Sequence, residues 1–284
     1  MIDLKEMSFS YGKSRKGEKP LFDQLTLELG PGLFGLLGKN GAGKTTLMRI
    51  MAGLIYPHEG KCEVMEQVPG MRNPSLLEEI FFLSEEFYLP GMTGEEYRKM
   101  YSPFYPKFDH NFFDRCCREF EIEINKKLSK MSYGQKKKYL IAFGLASKTK
   151  LLLLDEPTNG LDIPSKAQFR KLVAASWSEE QTIVISTHQV RDVEKLIDPI
   201  IIVDNGKIIF KHSLEEINHA LKFSVYSHEE EGDRILYSEK GLGGWAVMEA
   251  GPDEAGGAVD LELLFNGVLN DPKRISGLMK GVRV

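Results

Sequence analysis

The order of apolar and charged segments predicts an α/β protein. Its core is a mainly parallel sheet with antiparallel strands at the N-terminus, interrupted by a helical insertion and followed by a small C-terminal α+β appendage. Three observations predict this. First, the apolar runs "KLLLLDE" (150–156), "TIVIST" (182–187) and "PIIIVDNGKIIF" (199–210) are separated by the helical segments "SKAQFRKLVAASWSEE" and "HQVRDVEKLI". Strand–helix alternation of this kind builds parallel sheets, because neighbouring parallel strands need a crossover. Second, strand signals fade between about 76 and 145, where aromatic residues and helical spacing take over ("YRKMYSPFYPKFDHNFFDRCCREF"). Third, short strand-like runs return after about 216, joined by charged and glycine-rich links.

In chain order, "MIDLKEMSFSYG" and "LFDQLTLELG" alternate apolar and polar residues and read as two strands, with "GKSRKGEKP" as a charged hairpin loop between them. "LFGLL" (33–37) is a buried strand ending at Gly38, and 44–53 is a helix. The helical insertion occupies about 85–145. "LKFSVYS", "RILYSE" and "GGWAVMEA" are short strands of the appendage, and "DLELLFNGVL" is an amphipathic helix expected to pack on them or, alternatively, to dimerise with a second subunit.

Bulk composition narrows the function classes. The 284 residues suit one large domain plus a smaller one, and 42% hydrophobic with 27% charged residues is a globular composition. A net charge of −4 and a pI near 6.0 give no global case for nucleic acid or a membrane surface. Cys62, Cys116 and Cys117 are too few and too irregular for a zinc site or disulfide framework, and read as reduced packing residues. No secretory signal opens the chain, and no apolar run approaches the roughly 18 residues of a membrane span, so a cytoplasmic protein is expected.

Four stretches carry chemistry. "GKNGAGKTT" (38–46) fits G-x-x-x-x-G-K-[ST], with an apolar strand before it and a helix after it. Its glycines let backbone N–H groups curl around phosphate oxygens, and the helix start adds a favourable field. Lys44 reaches the outer phosphates and the Thr45 hydroxyl suits Mg²⁺. "LLLLDEPTNGLD" (151–162) ends a strand in Asp155, placed for Mg²⁺, and Glu156, placed to polarise an attacking water. "TIVISTHQV" (182–190) ends in His188, within reach of the γ-phosphate or that water. Tyr11, after the first strand, is a candidate for stacking on a purine. "MSYGQKKK" (131–138) sets three lysines at a helix start, where the helix dipole repels them unless an anion docks nearby.

Together, over about residues 1–215, these pieces resemble the ATP-binding subunit of ABC transporters. The resemblance implies a P-loop NTPase fold of ABC type, with an ATPase domain at 1–215 and an accessory domain at 216–284. It implies that Tyr11 stacks on adenine, and that Gly38, Lys39, Asn40, Gly41, Ala42, Gly43, Lys44, Thr45 and Thr46 hold the phosphates of ATP. Thr45 and Asp155 serve Mg²⁺, Glu156 is the general base, and His188 positions water and γ-phosphate. "MSYGQ" falls where the family has its LSGGQ signature, so Ser132, Gly134 and Gln135 meet ATP held by an opposite subunit, and Asp162 works across the dimer interface. Tyr133 replaces a signature glycine, and a side chain there is tolerated if it points outward.

The family usually carries a glutamine where "IFFLSEEFYLPGMTGEE" (80–96) places Glu85, with Glu86 as the second choice; Glu85 is then a further Mg²⁺ ligand. Glutamate here, with "NGLD" and "FYPKFD", resembles the branch whose permeases are of the ABC-2 type, including bacitracin-type exporters. The implied partners are such a permease and a second ATP-binding subunit, most simply a homodimer, on the inner face of the cell membrane. A soluble ABC-type ATPase acting on DNA or ribosomes is the alternative, but no coiled-coil arm or second cassette is present. A regulatory module that binds ATP without turnover is a further alternative, against which Glu156 and His188 argue.

Overall fold

The structure is a computed structural model that describes residues 1–12, 19–230, 232–253 and 257–279. The basic hairpin loop read at 12–19 therefore lies almost wholly outside the described residues. Three sheets organise the chain. β1 (Ile2–Phe9), β2 (Phe22–Leu29) and β4 (Glu59–Val64) form an antiparallel sheet with β1 in the middle. The six-stranded central sheet has the order β5 (Ile80–Leu83), β6 (Leu151–Asp155), β7 (Thr182–Thr187), β3 (Gly32–Leu37), β8 (Ile200–Asp204), β9 (Lys207–His212). Its first five strands are parallel and β9 is antiparallel. β10 (Leu221–Tyr226), β12 (Gly244–Ala250) and β11 (Ile235–Gly241) make the antiparallel C-terminal sheet.

Period-two patterning splits the core into two layers. Leu151 and Leu153 of β6, with Val184, Ile201 and Val203, face one side. There they meet α1 (Lys44–Met51) and the apolar face of the N-terminal sheet, so α1 is sandwiched between the sheets. Leu152 and Leu154, with Ile183, Ile185, Ile200 and Ile202, face the other side. Strands buried on both faces must be apolar at every position, which is why "LLLL" and "IIIV" look as they do.

Between β4 and β5 lies the single turn α2 (Pro74–Leu77). The insertion holds α3 (Gly94–Tyr101), α4 (His110–Glu119) and α5 (Tyr133–Ala146). Its aromatic richness is a core: Tyr97 and Phe113 meet Tyr139 and Phe143 edge-on, with ring centroids 5.4–6.2 Å apart. The fully buried Tyr139 donates its hydroxyl to Gly94 O at 2.7 Å, so no polar atom is stranded there. Cys116 and Cys117 are buried free thiols in α4, and burial pushes both up to about 12.

After α6 (Ile163–Ser176), two segments differ from the sequence expectation. "PIIIVDNGKIIF" is two strands, because Asn205 and Gly206 both adopt positive φ (46° and 72°) and close a hairpin. "HQVRDVEKLI" holds only a three-residue 3₁₀ turn, Val190–Asp192. Val190, Val193 and Ile197 do bury at helical spacing, but Thr187 Oγ1 accepts from Gln189 N and Arg170 donates to Asp192 O, diverting the groups a helix would pair. α7 (Leu214–Ala220) leads straight into β10. α8 (Leu261–Asn270) packs on β11, β12 and the 190–192 turn, where Arg191 pairs with Glu262, and α9 (Pro272–Met279) packs on β9 and α7. One apolar core thus runs from the central sheet into the appendage.

Candidate functional site

The site sits at the carboxyl ends of β3, β6 and β7, where binding sites of parallel sheets form. β3 runs into the glycine-rich loop that starts α1. Gly43 caps α1 at φ 107°, and a Cβ there would lie 2.8 Å from the Phe22 ring. A Cβ on Gly38 would lie 2.6 Å from Val203 O. Both positions require glycine, one for conformation and space, the other for space alone. No side chain caps α1, so its first N–H groups face the loop.

Lys44, 6% exposed, donates to Gly38 O (2.7 Å) and Lys39 O (3.2 Å), and its Nζ lies 3.6 Å from Glu156 Oε1. His188 Nδ1 meets the same Glu156 oxygen at 2.9 Å. One carboxylate thus joins a lysine to a histidine across three strands. Thr45 Oγ1 donates to Asp155 Oδ2 (2.8 Å), and Ser186 Oγ donates to Oδ1 (2.5 Å). A hydroxyl beside a fully buried carboxylate is a hard oxygen pair, the donor set that Mg²⁺ favours.

An open pocket of about 440 Å³ is lined by Tyr11, Asn40, Gly41, Gly43, Lys44, Thr45, Thr46, Glu85 and Glu156, together with Leu21. Tyr11, 61% exposed, exchanges a 2.9 Å hydrogen bond with Thr46 and meets Phe9 edge-on. Glu85, just beyond β5, turns into the pocket and accepts from Asn159 Nδ2 at 2.8 Å, while Glu86 is exposed and absent from the lining. A larger hollow of about 850 Å³ lies elsewhere, at Met1, Asp3, Glu28, Glu63, Glu66, Glu179 and Glu180. Its acidic rim is the wrong sign for a polyphosphate.

Glu156 has φ 46°, in the left-handed region where non-glycine residues are strained, and is 4% exposed. Its N–H donates to Ser186 Oγ (3.1 Å), and its carbonyl accepts from Lys137 Nζ (2.6 Å).

Ser132, Gly134 and Gln135 do not line the pocket. They start α5 with a reciprocal capping box: Gln135 N donates to Ser132 Oγ (3.2 Å), and Ser132 N donates to Gln135 Oε1 (3.1 Å). Tyr133 does not point freely outward. It is 48% exposed, donates its hydroxyl to Glu85 O (2.8 Å), stacks on Phe87 (5.3 Å) and lies against Gly160. Asp162 caps α6 by accepting from Ser165 N (2.9 Å), and hydrogen bonds from Ser165 hold its carboxyl below the usual range.

Sequence reasoning missed Ser186, Asn159 and the inward course of Lys137. "ST" before His188 was a usable signal for Ser186, since alternate residues of a strand share a face. Nothing local marked the other two.

Residues 22–159 match the family model described as ABC transporter. The ABC transporter ATP-binding protein NatA of Bacillus subtilis is 30% identical over 226 residues, covering 76% of this chain and 91% of that protein. The bacitracin transport ATP-binding protein BcrA of Bacillus licheniformis is 31% identical over 221 residues, covering 74% of this chain and 71% of that protein. Among solved structures, a dimeric post-hydrolysis ATP-binding cassette bound to ADP and Pi superposes with a TM-score of 0.64 at 23% identity, covering 75% of this chain and 99% of that one, which shows the fold. Among the described residues no helix is long and apolar enough to cross a membrane. The chain belongs to the ATP-binding proteins of ABC transporters and is an ATPase of that family.

Proposed function

We propose that this subunit hydrolyses ATP to drive export through a separate ABC-2-type permease, working as a head-to-tail homodimer on the inner face of the membrane. The observation that carries the reading is the approach of Lys44 to Glu156 in the pocket wall, with His188 bonded to that Glu156 and Asp155 to the pocket's Thr45 from behind the lining. Tyr11 flanks the adenine, and Gly38 to Thr46 wrap the phosphates with backbone N–H groups and the Lys44 ammonium. Thr45 and Asp155, with Glu85 as a third oxygen donor, would hold Mg²⁺, which would supply positive charge against the phosphates. Glu156 takes the proton of the attacking water, and His188 holds that carboxylate and the γ-phosphate in line. Ser132, Gly134 and Gln135 present the start of α5 to ATP held by the opposite subunit, and Asp162 lies at the same interface. Export, and the ABC-2 type, are supported by Glu85 in place of the usual glutamine and by likeness to a bacitracin transport protein.

Glu156→Gln tests the reading. The variant should bind ATP, stop turning over and accumulate as a dimer on size exclusion, while the wild type cycles. Equal, negligible turnover of both, even in the assembled complex, sinks it. For the partner, co-purification from the native membrane should yield a protein of about six spans without its own ATPase domain. Recovery with ribosomes or DNA instead overturns the transport role.

A further inference from the structure

Three lysines follow the signature, and the structure separates them. Lys136 and Lys138 keep part of their surface in solvent, whereas Lys137 is 0% exposed. A buried ammonium is costly unless every hydrogen finds an acceptor or a favourable field. No carboxylate lies within ion-pair distance of Lys137 among the described residues. Its Nζ donates instead to two backbone carbonyls, Glu156 O at 2.6 Å and Asn159 O at 3.0 Å. The ring of Tyr133, one turn earlier on α5, lies 5.5 Å from Nζ.

The first of those carbonyls belongs to the residue with the left-handed backbone. Such a conformation persists only where its surroundings over-determine it. On the N–H side Ser186 does this from β7. On the carbonyl side the partners are Asn159 N (3.2 Å), within the same turn, and Lys137, which alone arrives from another element.

We propose that Lys137 is a positioning residue: it grips the backbone of Glu156 and so holds that carboxylate against Lys44 and His188. The same helix begins at Ser132, so α5 joins the face offered to the opposite subunit's nucleotide to the turn that carries this subunit's own base. This rests on Glu156 being the base, which Glu156→Gln tests by itself.

The experiment compares Lys137→Met, Lys137→Arg and wild type in the purified full chain with Mg²⁺-ATP. Lys137→Met should lower kcat about tenfold or more, with KM and the affinity for a fluorescent ATP analogue within about twofold of wild type, since a group acting through the base leaves ground-state binding alone. Lys137→Arg, which keeps charged donors, should turn over at least about fivefold faster than Lys137→Met. In a Glu156→Gln background, adding Lys137→Met should cost nothing further, because residues acting as a unit are not additive. If Lys137→Met does not fold, Lys137→Gln reads the same split. Wild-type kcat in the neutral variant, an equal loss of nucleotide affinity, or additivity with Glu156→Gln overturns the proposal. Glu156→Gln with intact turnover overturns the base assignment instead.

Discussion

The starts of α1 and α5 hold the two buried lysines of the described residues, and they are built in opposite ways. α1 begins at a glycine with no side-chain cap, so its first N–H groups are unclaimed by side chains. α5 begins at Ser132, whose hydroxyl already takes the N–H of Gln135. Both lysines donate to two backbone carbonyls, Lys44 to its own loop and Lys137 to the turn after β6. Lys44 remains at the edge of an open pocket beside a carboxylate. Lys137 lies fully buried behind the Tyr133 ring. The same side chain thus borders an open pocket in one place and is enclosed against backbone carbonyls in the other. The three lysines after the signature therefore do not share one explanation: the middle one already has its acceptors inside the subunit.

The largest expected effect that sharpens this contrast is at the start of α5. Ser132→Arg should abolish steady-state turnover while ATP binding to the single subunit, followed with a fluorescent analogue, stays near wild type. It removes a cap worth about 1 kcal/mol and sets bulk and charge on the face assigned to the opposite nucleotide. Retained turnover would show that this face meets no partner. Next, Lys44→Ala should weaken ATP binding about 30-fold or more, by loss of a desolvated charge at the phosphates. Unchanged affinity would erase the distinction between the two lysines.

A smaller effect is pH-dependent. Burial pushes Lys137 down to about 8, with the nearby Glu85, Glu156 and Asp155 opposing the shift. Its folded value lies below the unfolded one, so between about pH 8 and the usual lysine range the unfolded chain holds the extra proton. The cost of burying the charge is full below pH 8 and is relieved as pH rises through that window. Urea midpoints of wild type relative to Lys137→Met should therefore move in favour of wild type between pH 7 and 10. A constant difference would mean that the ammonium is not desolvated. Using the difference matters, because the thiols of Cys62, Cys116 and Cys117, pushed up to about 12, lose stability over part of the same range in both proteins.

The smallest effects are expected at Tyr133. Tyr133→Phe removes only the hydrogen bond to Glu85 O and should cost about 0.5–1.5 kcal/mol in urea unfolding. Tyr133→Gly also removes the Phe87 stack and puts a flexible residue in the first helical turn, for a total of about 2 kcal/mol. The sequence alone suggested an inert side chain here; a silent Tyr133→Gly would restore that view.

What could be read from the chain itself was local. The phosphate loop, the apolar strands of the central sheet and the Asp155–Glu156 strand end are each contiguous, and their chemistry follows from residue type, glycine conformation and period, whereas the role of "MSYGQ" came only from its resemblance to a family motif. The hairpin at Asn205–Gly206 was missed, because the apolar run around it reads as one strand although its Asn-Gly dipeptide carried the turn signal. The rest was decided in three dimensions. Thr45 finds Asp155 across 110 residues, Glu85 finds Asn159 across 74, Tyr133 finds Glu85 O across 48, and Lys137 finds Glu156 O across 19. A lysine in a polar helix turn looks the same in sequence whether it meets water or a carbonyl. Only the packing of α5 under the turn after β6 removes the water and makes the carbonyls its remaining acceptors.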